Sequence, residues 1–145
     1  MTDIVILDFG SQTTHLLQRR LREHGLNSVI LDGDVGFSEI SVQRPKGLIL
    51  SGGPASVYAK DGLLPDPQIF SLKIPILAIC YGLEIVAHLK GGRVDKGVRG
   101  EYGKTGVKVV SHNGLFKKIP GNFTAWMSHF DMVTKLPTGY SLAAS

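Results

Sequence analysis

The chain has 145 residues, 43% of them hydrophobic, and carries 16 Lys+Arg against 12 Asp+Glu for a formal net charge of +4. That is enough apolar material for a sizeable core. The basic residues are scattered, with Arg19-Arg20 and Lys117-Lys118 as the adjacent pairs, which describes a solvated surface and excludes the basic stripe with interleaved aromatics of a nucleic-acid footprint. No basic leader followed by an apolar segment opens the chain, and no apolar run approaches the roughly 20 residues of a membrane span. The lone cysteine, Cys80, closes no internal disulfide, so a cytoplasmic protein with neither membrane nor nucleic acid as partner is expected.

Ile4-Val5-Ile6-Leu7 is a continuous apolar run that ends at Asp8-Phe9-Gly10-Ser11, a stretch with turn chemistry. THLLQRRLREHG follows with Leu17 and Leu21 at i, i+4 and Gly25 as the stop, which predicts strand, loop and helix. Ser28 to Leu31 reads as a second strand, and Gly47 to Leu50 as a third that ends in Ser51-Gly52-Gly53-Pro54. Ile74 to Ile79 makes a fourth, running straight into Cys80, after which Leu83, Val86 and Ala87 share a helical face before Gly91-Gly92. Strands apolar throughout, alternating with amphipathic helices, predict a flavodoxin-like α/β fold: a doubly wound, mostly parallel sheet with helices on both faces. From Arg93 the rhythm changes. Val107 to Val110, Phe123 to Met127 and Tyr140 to Ala144 read as additional strands, antiparallel or mixed, in the C-terminal third. Without an internal repeat, low-complexity tract or linker, residues 1–145 are expected to form one domain.

Ligands of doubly wound sheets bind beyond the carboxyl ends of the strands, where Cys80 falls. A thiol on a tight strand-to-helix turn faces the first amides of the following helix. Those amides favour the thiolate and can stabilise the oxyanion formed when it attacks a carbonyl. Gly82 lets the turn be sharp. The competing reading is a packing thiol, since cysteine is among the most buried residue types. Gly52-Gly53-Pro54, at the end of another parallel strand, is placed to supply a further oxyanion donor, although Gly-Gly-Pro also makes an ordinary tight turn.

Among the histidines, His88 lies about 12 Å of helix rise from Cys80 and is out of reach. His129, two residues before Asp131 on an expected loop, is a candidate base set against a structural or substrate-lining role; His15, His24 and His112 read as surface or helix residues. Gly103-Lys104-Thr105 is not a phosphate loop, because the required first glycine would fall at Val98. The histidines lack metal-ligand spacing and Cys80 has no second thiol beside it in sequence, so no metal is expected.

Taken together, ILDFGSQ (6–12), ILSGGPASVY (49–58), ILAICYG (76–82), Gly91-Gly92, EYGK (101–104) and WMSHFD (126–131) resemble the class I glutamine amidotransferase domain of GMP synthetases, in collinear order over essentially the whole chain. The resemblance implies hydrolysis of glutamine to glutamate and ammonia, with the ammonia aminating XMP to GMP at an ATP pyrophosphatase (synthetase) domain or subunit. Both ATP and Mg2+ are expected there, and no cofactor in this domain. Cys80 matches the nucleophile that forms the γ-glutamyl thioester, and Gly53 and Tyr81 match the oxyanion-hole amides. Gly52, Ala55, Glu84, Ser128, His129, Phe130 and Asp131 match positions that line or hold the substrate.

Three departures accompany the match. The family completes its triad in a Phe-His-Pro-Glu segment beyond the equivalent of Ser145, so the domain is expected to be C-terminally incomplete and the 145-residue chain alone inactive. Glu84 stands where the family usually has Gln, and its carboxylate would repel the substrate's α-carboxylate. Phe130 stands where the family has Gly, which would be strained if that position needs a positive φ. Two alternatives follow: a catalytically impaired pseudo-amidotransferase acting as a partner-docking or ligand-sensing module, and a PfpI-type peptidase, which also holds Cys on a strand-to-helix elbow.

Overall fold

The computed structural model describes residues 2–145, apart from the side chains of Val98 and Arg99. The chain divides into two compact units, one ending at Leu89 and one running from Lys90 to Ser145.

In the first unit, strands β1 (Ile4–Asp8), β2 (Ser28–Asp32), β3 (Gly47–Leu50) and β4 (Ile76–Ala78) form a parallel sheet in the order β2-β1-β3-β4. Helices α1 (Thr14–Glu23), α2 (Phe37–Val42) and α3 (Tyr81–Leu89) alternate with them, and a 3-10 helix, Pro67–Leu72, precedes β4. Val5, Ile6 and Leu7 are wholly buried, and Gly47 to Leu50 are buried along the entire strand. Successive strand residues point to opposite faces, so unbroken burial means that β1 and β3 are covered on both sides, as the continuous apolar runs predicted. The strand order reverses between β1 and β3, which puts the crevice that such sheets use for ligands beyond their carboxyl ends.

Two details of this unit differ from the sequence reading. Leu83 is 51% exposed, and the buried stripe of α3 instead runs through Gly82, Ile85 and Val86, with Tyr81, Glu84 and Ala87 also buried. The cause is Gly82, whose missing side chain lets the helix sit on β3: a Cβ there would lie 2.5 Å from the Leu50 carbonyl oxygen. β4 is also shorter than Ile74 to Ile79, although the ladder continues past it where the Ile79 amide donates to the Leu50 carbonyl at 3.0 Å.

The second unit is a long antiparallel ribbon of β5 (Arg93–Lys108) and β6 (Asn122–Lys135), paired from Arg93↔Lys135 to Lys108↔Asn122 with register shifts between Arg93 and Val94 and between Lys96 and Glu101. A short 3-10 helix, Gly114–Phe116, lies between them. Gly97, Gly100, Gly103 and Gly106 interrupt the side-chain pattern of β5, which is why it reads as broken runs, and the first two fall where the register shifts. Tyr140 to Ala144 contributes one bridge, Val109↔Ala144, instead of a strand. No described helix is long and apolar enough to cross a membrane.

Gly82→Ala tests the seating of α3. The added methyl would also meet Leu50 Cβ at 2.8 Å, so the helix must shift and stability should fall by about 1–3 kcal/mol. Leu16→Ala on the half-exposed face of α1 should stay within about 0.5 kcal/mol of the parent. Urea unfolding midpoints compare the two, and an unchanged midpoint for Gly82→Ala would mean that α3 does not rest on Leu50.

Candidate active site

Three strand ends build the site, and the first is organised by one carboxylate. Asp8 Oδ1 accepts hydrogen bonds from the amides of Gly10 (3.0 Å) and Ser11 (3.2 Å) and from the buried Thr14 hydroxyl (2.8 Å). An aspartate that bonds the backbone two residues on is an ordinary turn former, and here it fixes the whole β1–α1 connection.

The second end is Ser51, which is fully buried. Its Oγ accepts the Phe9 amide at 3.0 Å and donates to the Gly52 carbonyl at 2.8 Å. Gly53 lies directly against Phe9, where a Cβ would stand 2.4 Å from the Phe9 carbonyl oxygen, so only glycine fits. The loops after β1 and β3 therefore hold each other.

The third end is the elbow between β4 and α3. Cys80 has φ +51°, a left-handed conformation that non-glycine residues rarely adopt, and such strain costs of order 1–3 kcal/mol. The turn is held by backbone bonds: the Gly82 amide donates to the carbonyls of Ile79 (2.9 Å) and Ser51 (3.1 Å), while the Cys80 carbonyl accepts from Leu83 (2.8 Å) and Glu84 (3.2 Å). A Cβ built on Gly52 would sit 3.5 Å from Cys80 Cβ, so the Gly-Gly loop and the thiol-bearing residue are neighbours. Cys80 is exposed, which disposes of the packing-thiol reading.

Tyr81 uses its two halves differently. The side chain is 1% exposed, packs edge-on against Phe9 with ring centroids 5.7 Å apart, and donates its hydroxyl to the Leu63 carbonyl at 3.0 Å. Its backbone amide hydrogen-bonds the Cys80 sulfur and favours the thiolate. The net effect on the thiol is nevertheless opposite to the sequence expectation. Desolvation by the surrounding protein pushes the Cys80 pKa up, the Tyr81 amide offsets part of this, and the negative charge of Glu84 adds to the rise. Glu84 is 6% exposed in the first turn of α3. The Tyr81 phenol is raised as well, by desolvation first and then by Glu84. Ala55 lies in the irregular segment after Gly53.

The remaining expected residues belong to the second unit. Ser128, His129, Phe130 and Asp131 lie within β6 rather than on a loop, with Ser128 opposite Tyr102, His129 opposite Glu101 and Asp131 opposite Lys96. His129 Nε2 is 3.2 Å from Glu101 Oε2, and its Nδ1 is 3.2 Å from the Asp131 carbonyl oxygen. Both ring nitrogens are thus engaged within the ribbon, which suits a structural role better than that of a base. Phe130 lies in the strand without a positive φ, so the anticipated strain is absent. His88 stacks edge-on with Tyr58 at 5.3 Å, while His15, His24 and His112 are exposed. No group of three or more His, Cys, Asp or Glu among the described residues is arranged to hold a metal.

A strained cysteine thus sits at the carboxyl ends of a parallel sheet, beside a Gly-Gly loop, and the chain belongs to the class-I glutamine amidotransferases, whose family model matches residues 5–145. Among curated relatives it is 50% identical to the glutamine-hydrolysing GMP synthase of Campylobacter hominis over 143 residues, and 46% identical to that of Lactobacillus johnsonii over 142. These matches take in 99% and 97% of the chain but 28% of each relative's length. Among solved structures, a protein assigned as one subunit of a GMP synthase from Thermoplasma acidophilum superposes with TM-score 0.84 at 34% identity, over 100% of this chain and 73% of that one. A glutamine amidotransferase from Thermotoga maritima shares the fold at TM-score 0.75 and 22% identity, over 99% of this chain and 66% of that one.

The electrostatics of the elbow give a direct test. Alkylation of Cys80 by iodoacetamide follows the thiolate fraction, so its rate should rise with pH through a midpoint above that of an ordinary thiol. Glu84→Gln removes the nearby negative charge and should move the midpoint to lower pH. A profile unchanged by the substitution would mean that the Glu84 field does not reach the sulfur.

Proposed function

We propose that this chain is the glutaminase half of a GMP synthase. Cys80 attacks the γ-carbonyl carbon of glutamine, and the oxygen that becomes negative is met by the amides of Tyr81 and Gly53. The carbon–nitrogen bond then breaks, ammonia leaves, and water hydrolyses the γ-glutamyl thioester to glutamate. An amide is a poor electrophile, so a nucleophilic thiolate and pre-aimed donors address its two difficulties. The substrate-holding roles of Gly52, Ala55, Glu84, Ser128, His129, Phe130 and Asp131 belong to the same reading.

The observation that carries this reading is the left-handed backbone of Cys80, with the Tyr81 amide on its sulfur. Strain of this kind persists only where the surroundings over-determine it, and it concentrates at functional sites. It also disfavours the pseudo-amidotransferase, which has no need to hold a thiol this way. The raised thiol pKa means that Cys80 must hand its proton to a base on attack. The resemblance assigns that base to a Phe-His-Pro-Glu segment that these 145 residues do not contain. Ammonia passes to an ATP pyrophosphatase domain or subunit, where ATP and Mg2+ activate XMP for amination. The small soluble reactants suit a cytoplasmic setting.

An ammonia-release assay tests the assignment. The natural protein that carries this chain should hydrolyse glutamine, its Cys80→Ala variant should not, and the 145-residue chain should be slower by the factor of about 10² to 10⁴ that general acid–base assistance supplies. Equal rates for the short chain and the natural protein would place the base within these residues. Turnover by Cys80→Ala would overturn the assignment.

A further inference from the structure

The hydroxyl of Ser51 is wholly buried, lies between the β1 loop and the elbow, and has no part in the chemistry above. A serine hydroxyl has one proton to give and two lone pairs to receive with. Here the Phe9 amide takes up the acceptor side at 3.0 Å. Two acceptors compete for the proton: the Gly52 carbonyl at 2.8 Å and Asp8 Oδ1 at 3.5 Å. Asp8 Oδ1 already receives Gly10, Ser11 and Thr14. The shorter contact takes the proton, so Ser51 pins the Gly52 carbonyl.

That bond orients more than a carbonyl. The Gly52 C=O and the Gly53 N–H belong to one planar trans peptide and point in opposite directions. Glycines on both sides leave this peptide with little intrinsic preference for either orientation, so something outside it must choose. We propose that Ser51 is a positioning residue for the oxyanion hole: by holding the Gly52 carbonyl inward, its hydroxyl turns the Gly53 amide outward. The Ser51 main chain ties the same residue to the elbow, since its carbonyl accepts the Gly82 amide at 3.1 Å. One residue thus sets the Gly-Gly peptide and abuts the nucleophile turn. The inference rests on the amidotransferase reading and adds to it a residue outside those matched to the thiol, the oxyanion hole or the substrate.

Ser51→Ala in the natural protein separates this role from general support of the fold. Loss of an oxyanion donor lowers kcat by about 10² to 10³. A donor left in place but no longer aimed should lower kcat for glutamine by about 10- to 100-fold, with KM changed by less than about threefold. Alkylation of Cys80 by iodoacetamide needs no oxyanion hole and should stay within about twofold of wild type. Ser51→Cys, which keeps a weak donor of similar shape, should fall between alanine and serine, and it carries the test if the alanine variant does not fold. Unchanged kcat, or a parallel loss of hydrolysis and alkylation, would overturn the positioning role. A wild-type protein that does not hydrolyse glutamine would instead overturn the underlying reading, and this inference with it.

Discussion

The backbone of Cys80 is the constraint on which the site depends. β4 passes into α3 across only Ile79 and Cys80, and the left-handed φ of Cys80 is where the sharp change of direction is absorbed. Gly82 makes the turn possible by letting α3 rest on the Leu50 backbone, and its amide is held by the carbonyls of Ile79 and Ser51. The result is a thiol presented at the sheet's edge with the Tyr81 amide turned to its sulfur. Packing at a glycine, a strained dihedral and an exposed thiol beside a helix N-terminus are three consequences of the same local geometry.

The site is also held in electrostatic tension. The Tyr81 amide draws the thiol toward ionisation, while desolvation and the Glu84 charge oppose it. Desolvation and the Glu84 charge outweigh the Tyr81 amide and hold the Cys80 pKa above that of an ordinary thiol.

Much of the parallel sheet was legible because its signals are local. β3 matches its apolar run residue for residue, and β1 and β2 differ from theirs by one residue. Cys80 was legible for the same reason, as a lone cysteine where a strand gives way to a helix. The opposite direction of its pKa shift was not, because desolvation and the Glu84 field arise only when the chain is folded around the sulfur. The turn at Asp8 was legible, but its partnership with Thr14 and the link from Phe9 to Ser51, 42 residues away, was not. The β5–β6 ribbon was under-read because glycines break the side-chain pattern of β5 while pairing resumes on either side of the register shift, and for that reason the Ser128–Asp131 stretch was expected on a loop. Leu83 was assigned to the buried face with Val86 and Ala87, which are buried, but it is exposed where α3 meets β3 through Gly82, a contact no periodicity reveals.

Cys80 is the residue proposed to take up the γ-glutamyl group. Acid-quenched mass spectrometry of the natural protein during glutamine turnover tests it most directly. The Cys80 peptide should carry the mass of one γ-glutamyl thioester, lost on treatment with hydroxylamine and absent from the Cys80→Ala variant. The adduct on any other residue, or turnover with no covalent intermediate under conditions that trap thioesters, would contradict it.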